Sequence, residues 1–343
     1  MAGTTFIMPA YNAEAYIESA VSSVLDQTVQ ELRLIVVDDG SRDKTGEILD
    51  CLAAEDARLE ALHVANGGPA RARNLALERL GEETDYVMFL DADDCLLPDA
   101  LEYALQGARR GAELTIFGFS IRGEDGSLRD YCEPEALLDS DTIGASLGRL
   151  YKANLLNQVW GKLFSARLLR EHRIRFPDYR WGEDRLFIFD VLEHCERICV
   201  LPGCKYQYVM HAGESLISKY YEKKFQVCLE IDERAQALCR RFGVEDDAPF
   251  RYMFLKSVFS CLTTLFTPGC PLDRERKRAA AREIVTSGRV RERSRGAEGG
   301  LPVKLLAGVL RSGSPELSLA AFRLVADLSK AAPELFRKIK HRK

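Results

Sequence analysis

The chain has 343 residues, 46% of them hydrophobic, and a net charge of −4, which predicts a folded, soluble protein of one large domain or two ordinary ones. Ten cysteines are scattered along it, and the closest group, Cys195, Cys199 and Cys204 near His194, lacks the two-residue gaps of structural zinc sites, so a reduced, cytoplasmic setting without zinc is expected. The small net charge conceals a division: residues 273–343 hold 18 Lys/Arg against 8 Asp/Glu, leaving 30 against 44 for residues 1–272, so the two parts face different partners, with no nucleic acid among them.

Met1 runs almost directly into Phe6-Ile7-Met8 without a basic region or cleavage site, so no signal peptide is expected. Through the first 120 residues, short β-branched or aromatic runs alternate with amphipathic stretches, the pattern of a parallel sheet covered by helices. Strands are predicted at Thr5–Met8, Leu32–Asp38, Leu59–Val64, Tyr86–Leu90 and Leu114–Phe119. Between the first two, Ile17, Val21, Val24 and Leu25 share one helical face, with Asn12 as the expected N-cap. Further helices are expected from Asp43 or Thr45, from Pro69 behind Gly67-Gly68, and from Pro98. Residues 121–140 read as a polar excursion, the chain from Lys219 onward as almost entirely helical, and Ser287–Gly300 as a flexible, Gly/Arg-rich linker. A domain over residues 1–218 and a helical, basic region over 219–343 follow from this pattern.

Two strand ends carry acids. Phe89-Leu90-Asp91-Ala92-Asp93-Asp94 ends a hydrophobic strand in three carboxylates, and strand ends are where open α/β sheets bind ligands. Asp91 and Asp93, two apart on an extended segment, can both face a divalent cation, and Mg²⁺ or Mn²⁺ prefers such oxygen ligands. Read alone, the same acids also suit a turn or a helix cap. Val36-Val37-Asp38-Asp39-Gly40-Ser41 closes a second strand in the same way, on the same edge of the sheet. Glu183 and Asp184 open an apolar helix through Leu186, Phe187, Phe189 and Val191, where first-turn acids favoured by the helix dipole and a catalytic base are both consistent readings. No P-loop, dinucleotide fingerprint, Gly-x-Ser-x-Gly elbow or His-Glu-x-x-His motif is present, so ATP hydrolysis, dinucleotide redox chemistry and serine hydrolysis are poorly supported.

Six segments in order, Met8-Pro9-Ala10-Tyr11-Asn12, Val37-Asp38-Asp39-Gly40-Ser41, Asn66-Gly67-Gly68-Pro69-Ala70-Arg71-Ala72-Arg73-Asn74, Leu90-Asp91-Ala92-Asp93-Asp94, Trp160-Gly161-Lys162-Leu163-Phe164 and Gly182-Glu183-Asp184, resemble the family 2 glycosyltransferases of the GT-A fold over about residues 4–218. The resemblance implies a Rossmann-like α/β architecture, with a mostly parallel sheet and covering helices followed by a helical C-terminal region. It also implies inverting transfer of one sugar from a nucleoside diphosphate sugar, usually a UDP-sugar, to a glycan or lipid-linked acceptor in surface polysaccharide synthesis.

By matching position, Pro9, Tyr11, Asp39, Gly68, Arg71, Asp91 and Ala92 would line the nucleotide sugar. Tyr11 would lie against the base, Asp39 would accept from the uracil N–H, Arg71 would reach the nucleotide or its phosphate, and Asp91 would meet the ribose or the metal's water shell. Asp93, with Asp91 and His211, would hold the divalent metal, and Asp184, supported by Glu183, would be the base. Trp160, Lys162 and Trp181 fall on the acceptor side, the tryptophans either stacking on a sugar or packing in the core. His211 either completes the metal shell, touches the diphosphate or is a surface histidine, and Val209 stands where the family often has a phosphate-binding arginine. Two rivals are an inactive nucleotide-binding scaffold, which intact Asp93 and Asp184 argue against, and a sugar-phosphate nucleotidyltransferase, which needs a Gly-rich basic loop where Met8–Asn12 has none.

Apolar-faced helices are predicted at Met253–Phe266, Val303–Leu310 and Leu317–Leu328, ahead of Arg337-Lys338-Ile339-Lys340-His341-Arg342-Lys343. The first falls short of the roughly 20 residues a membrane span needs. Basic amphipathic helices suit an anionic membrane surface, each well-placed Lys or Arg contributing about 1 kcal/mol. Peripheral attachment at the inner membrane face is therefore expected, with mutual packing or a homodimer as the alternative.

Overall fold

Phe6, Ile7 and Met8 are fully buried at the middle of β1 (Gly3–Ala10), and a sheet extends on both sides of them. The computed structural model describes residues 3–123, 127–210, 219–267 and 269–331. The chain forms two units, one of Met1–Ala212 with Arg240–Val244 and the other of Gly213–Cys239 with Glu245–Lys343.

In the first unit β1 is followed by α1 (Ile17–Leu25), β2 (Leu32–Asp38), α2 (Thr45–Glu55), β3 (Leu59–His63), α3 (Pro69–Glu78) and β4 (Thr84–Phe89). β1 pairs in parallel with β2 and β4, and β2 with β3. Next come β5 (Cys95–Leu96), α4 (Ala100–Arg109), β6 (Leu114–Arg122), β7 (Leu128–Tyr131), β8 (Ala136–Leu138), α5 (Ile143–Lys152), β9 (Lys162–Ser165), α6 (Ala166–Glu171), α7 (Glu183–His194) and β10 (Ile198–Val209). Among the described residues the sheet has ten strands, in the order β3-β2-β1-β4-β9-β6-β10-β5, with β7 on β6 and β8 on β10. This is the α/β sheet with covering helices that the periodicity predicts.

Three local expectations are corrected. Asn12 does not cap α1: its φ is +50°, its Oδ1 accepts from Arg42 N at 2.9 Å, and the chain turns first at Ala13, whose carbonyl accepts from Tyr16 and Ile17. Asn12 instead ties the loop after β1 to the loop after β2, since its own N–H also donates to Ser41 Oγ at 2.9 Å. Residues 121–140 contain β7 and β8, which sequence periodicity misses because most β7 side chains are exposed; β7 pairs its backbone with β6, where Ser120 Oγ also donates to Asp130 at 2.6 Å and Tyr131 stacks on Phe119. β9, four residues long and built around buried Leu163 and Phe164, runs antiparallel between β4 and β6.

The described residues after β10 form helices: α8 (Lys224–Arg241), α9 (Ala248–Thr264), α10 (Arg274–Thr286), α11 (Gly288–Ser294), α12 (Leu301–Arg311) and α13 (Pro315–Ala331). The linker expected over Ser287–Gly300 is the third correction, because α11 lies there with Val290 fully buried and Arg293 held by Asp232. A buried, ion-paired arginine makes a structured segment look polar. Among the described residues no helix is long and apolar enough to cross a membrane. His211 and the run Arg337–Lys343 lie outside the described residues.

Candidate active site

The carboxyl ends of β2 and β4 flank that of β1, and α3 reaches both. At its first turn, Gly67 N and Gly68 N each donate to buried Asp39, at 2.7 Å to Oδ1 and 2.7 Å to Oδ2. Gly68 has φ +90°, a conformation that costs glycine little and a side-chain-bearing residue much more. Asn66 Nδ2 also donates to the Asp39 carbonyl at 2.9 Å. Asp39 therefore organises the Gly-Gly turn, and each of its oxygens keeps a lone pair for a further donor. Pro9 is partly covered at the end of β1, Tyr11 is 48% exposed, and exposed Arg71 packs its side chain over Gly67.

Asp38, beside it, accepts from Ser41 N at 3.0 Å and meets His63 Nδ1 at 3.0 Å, while His63 Nε2 meets Asp50 at 3.0 Å. Burial opposes the Asp38 charge, yet hydrogen bonds from Ser41 and His63 hold its carboxyl below the ordinary range. The same contacts, first to Asp38 and then to Asp50, raise His63.

One turn further along α3, Arg73 unites the other two acidic motifs. Its Nη2 donates to Asp91 Oδ1 at 2.7 Å and its Nη1 to Asp184 Oδ1 at 3.0 Å, with Glu183 Oε1 3.8 Å away. The side chain is only 4% exposed, its guanidinium lies over the Phe176 ring at 5.4 Å, and its Nε–H finds no acceptor among the described residues. The Asn74 side-chain amide pins Phe176 there, its Nδ2 donating to the Phe176 carbonyl and its Oδ1 accepting from Phe176 N, at 2.9 Å each. Burial works against the Arg73 charge, but Asp184, Asp91 and Glu183 outweigh it and raise its proton affinity.

Burial raises the proton affinity of both Asp184 and Glu183; Arg73 opposes this in each, and for Glu183 the neighbouring Asp184 adds to it. Both acids sit in the first turn of α7, entered through Gly182 at φ +84°. Trp181, just before, carries the Arg185 guanidinium over its ring at 4.6 Å.

The three acids after β4 part company. Ala92 is buried, Asp93 is exposed, and the Asp91 side chain is 31% exposed. Asp94 is fully buried, accepting from Tyr206 Oη at 2.6 Å and Val209 N at 2.8 Å, with its carboxyl pushed up to about 8 by burial and by the charges of Asp91 and Asp93. Asp94 thus anchors β10. Trp160 stacks on Tyr206 at 4.2 Å and meets Phe119 edge-on at 4.8 Å, so it packs in the core. Lys162, expected toward the acceptor, is 1% exposed: its Nζ donates to the Gln158 and Trp160 carbonyls at 2.7 and 3.1 Å, and burial brings it down to about 7 against the pull of Asp184.

Among the described residues no three His, Cys, Asp or Glu side chains cluster to hold an ion by themselves. Asp91 and Asp93 present two carboxylates, and a Mg²⁺ or Mn²⁺ that arrives on a diphosphate needs one or two, because phosphate oxygens and water supply the rest. The donor set fits that metal.

Sequence reasoning passed over Arg73 and the Asp94–Tyr206 pair. The signal for Arg73 was present: with Ala70 and Leu77 it occupies the i, i+3, i+7 positions of the buried face of α3, where a charge needs partners.

A sheet whose strand ends gather these acids, with a Glu-Asp helix start tied to them through a buried arginine, is the arrangement of a GT-A fold. Residues 5–171, just under half of the chain, match the profile of glycosyl transferase family 2. Bacillus subtilis EpsJ, an uncharacterized glycosyltransferase, is 29% identical over 209 residues, 60% of this chain and 60% of its own length. B. subtilis TuaG, a putative teichuronic acid biosynthesis glycosyltransferase, is 40% identical over 141 residues, 40% of this chain and 55% of its own length. In fold, S. aureus TarS 1–349 in complex with UDP-GlcNAc has a TM-score of 0.68 at 21% identity, covering 96% of this chain and 92% of that one.

Proposed function

We propose that this glycosyltransferase moves one sugar from a UDP-sugar to a glycan or lipid-linked acceptor, with inversion, in cell-surface polysaccharide synthesis. The observation that carries this reading is the reach of α3: its first turn holds Asp39 and its second joins Asp91 to Asp184. One rigid helix thereby links the nucleotide end of a donor to a base. The UDP-GlcNAc bound by TarS and the teichuronic acid assignment of TuaG support the donor class and the setting.

In this reading Tyr11, Asp39 and Arg71 bind the nucleotide, Asp91 orients the ribose, and Asp91 with Asp93 holds Mg²⁺ or Mn²⁺. The ion, when bound, neutralises charge on the leaving diphosphate. Asp184 takes the proton of the acceptor hydroxyl as that oxygen bonds to the anomeric carbon. The bond from this carbon to the diphosphate oxygen breaks on the opposite face, and the diphosphate leaves with the electron pair. Arg73 fixes one Asp184 oxygen, and burial gives that carboxylate more proton affinity than a solvated one, as a general base requires. The donor comes from the cytoplasm, and a lipid-linked acceptor would be met at the inner membrane face.

A panel of nucleotide sugars with and without Mg²⁺ or Mn²⁺ tests the proposal. Metal-dependent UDP release from a UDP-sugar is expected, abolished by Asp93→Ala and by Asp184→Asn. Full turnover by Asp184→Asn would remove it as the base, and release from no UDP-sugar would overturn the donor assignment.

A further inference from the structure

Helices α12 and α13 are apolar on two sides. Inward, Ala307, Leu310 and Phe322 are completely buried and Ala326 nearly so, which satisfies the core of their unit. Outward, Leu301 and Leu305 on α12 are 70% and 62% exposed, and Leu317, Leu324 and Leu328 on α13 are 49%, 60% and 51% exposed. Leu301 and Leu305 are four residues apart, and Leu317, Leu324 and Leu328 follow at intervals of seven and four, so each helix carries its leucines as a stripe. Scattered exposed leucines are ordinary, but two ordered stripes on consecutive helices are not.

Charge decides what covers them. Lys304 stands exposed between the two α12 leucines, and Arg311 is exposed at the end of that helix. The acids of α13 are matched, Glu316 by Arg278 and Asp327 by Arg323 at 3.8 Å. A second copy laid on these leucines would oppose like charge with like, whereas an anionic bilayer offers both an apolar interior and the opposite charge.

We propose that the outward leucine stripes of α12 and α13 seat this unit on an anionic lipid surface, the leucines entering the acyl boundary and the basic residues meeting headgroups. The proposal stands apart from donor chemistry. Vesicle binding is measured without a nucleotide sugar, so a failed transfer assay leaves it intact and failed binding leaves the transferase reading intact.

The full chain is co-sedimented at low salt with vesicles of phosphatidylcholine alone and of phosphatidylcholine with phosphatidylglycerol. Binding is expected to the mixed vesicles, about tenfold weaker to phosphatidylcholine, and about tenfold weaker to the mixture for Leu305→Gln/Leu324→Gln. Equal pelleting of that variant and the wild type overturns the proposal, as does wild type that ignores the mixed vesicles. A wild-type dimer in lipid-free sedimentation velocity that becomes monomeric in the variant overturns it too, since a second copy would then cover the leucines. Hydrogen exchange on the wild type gives a measure independent of any variant's folding: added mixed vesicles are expected to slow exchange within residues 301–328, and slowing confined to other helices overturns the assignment.

Discussion

Arg73 and Asp184, 111 positions apart in sequence, meet at 3.0 Å inside the first unit, and the same guanidinium holds Asp91 at 2.7 Å. A single buried cation therefore sets the spacing between Asp91, the acid proposed to meet the donor, and Asp184, the proposed base.

Arg73→Met would leave Asp91, Glu183 and Asp184 facing one another without their main counter-charge, with buried Lys162 the remaining cation acting on Asp184. Two outcomes are expected. The kcat falls by about 10²–10³, the usual effect of losing one preorganised donor. The acid limb of the kcat profile also moves to higher pH, because Asp184 as the proposed base works only above its pKa and Arg73 is the strongest group pulling that pKa down. Arg73→Lys retains charge but not the fork, so it restores the limb more than the rate. Steady-state kinetics across pH checks both, and an unmoved acid limb in Arg73→Met would sink the coupling.

Tyr206 ties the turn after β4, which carries Asp91 and Asp93, to β10 by donating to Asp94 at 2.6 Å. Tyr206→Phe keeps the ring stacked on Trp160 and removes only the hydroxyl, leaving a buried carboxyl short of one donor. A loss of about 1–3 kcal/mol in urea unfolding is expected. Donor KM should rise more than kcat falls, because the turn bearing Asp91 and Asp93 loosens while Asp184 stays put. An unchanged donor KM would argue against this link.

The parts of the fold that sequence made legible are those with strong periodicity. β2 coincides with its predicted range, and the carboxylates at the ends of β2 and β4 lie where alternation and strand-end logic put them. β9 and β7 escaped because four residues carry too little pattern, and β7 exposes most of its side chains. In the site, the motif acids were found by type and order. Their division of labour was not, since Asp93 and Asp94 are adjacent and chemically identical until the structure turns one outward and buries the other under Tyr206. Arg71 and Arg73 pose the same ambiguity, resolved by which face of α3 each occupies.

His63 bridges Asp38 and Asp50, and its folded-state pKa is raised above 6.5 by those two hydrogen bonds. A group raised on folding contributes stability fully below its unfolded pKa and loses it as pH rises through the folded one. Thermal stability should therefore decline from pH 6 toward the alkaline side of that window by an amount that His63→Gln abolishes. Because Asp38 adjoins Asp39, nucleotide binding followed by calorimetry should weaken in the same direction. Identical pH dependence of melting in wild type and variant would show that the bridge carries no net energy.

In the helical unit the decisive polar contact is Arg293 with Asp232, their side chains 6% and 1% exposed. Arg293 Nε reaches both Asp232 oxygens at 2.9 and 3.1 Å and its Nη2 returns to Oδ1 at 2.8 Å, while Nη1 turns to Asp247. Burying both charges is costly, so replacing the whole pair with apolar residues need not destabilise; removing one partner strands the other. Asp232→Ala should therefore destabilise by up to about 3–5 kcal/mol in urea titration of the full chain, the upper end being reached only if Asp247 fails to compensate Arg293 alone. The double variant Asp232→Leu/Arg293→Met should recover much of that loss, although Asp247 then keeps only its Arg251 partner at 2.6 Å. Single and double variants of equal stability would mean that packing of α11, rather than the stranded charge, sets the effect, and a change below about 1 kcal/mol for Asp232→Ala would place the pair in water in solution.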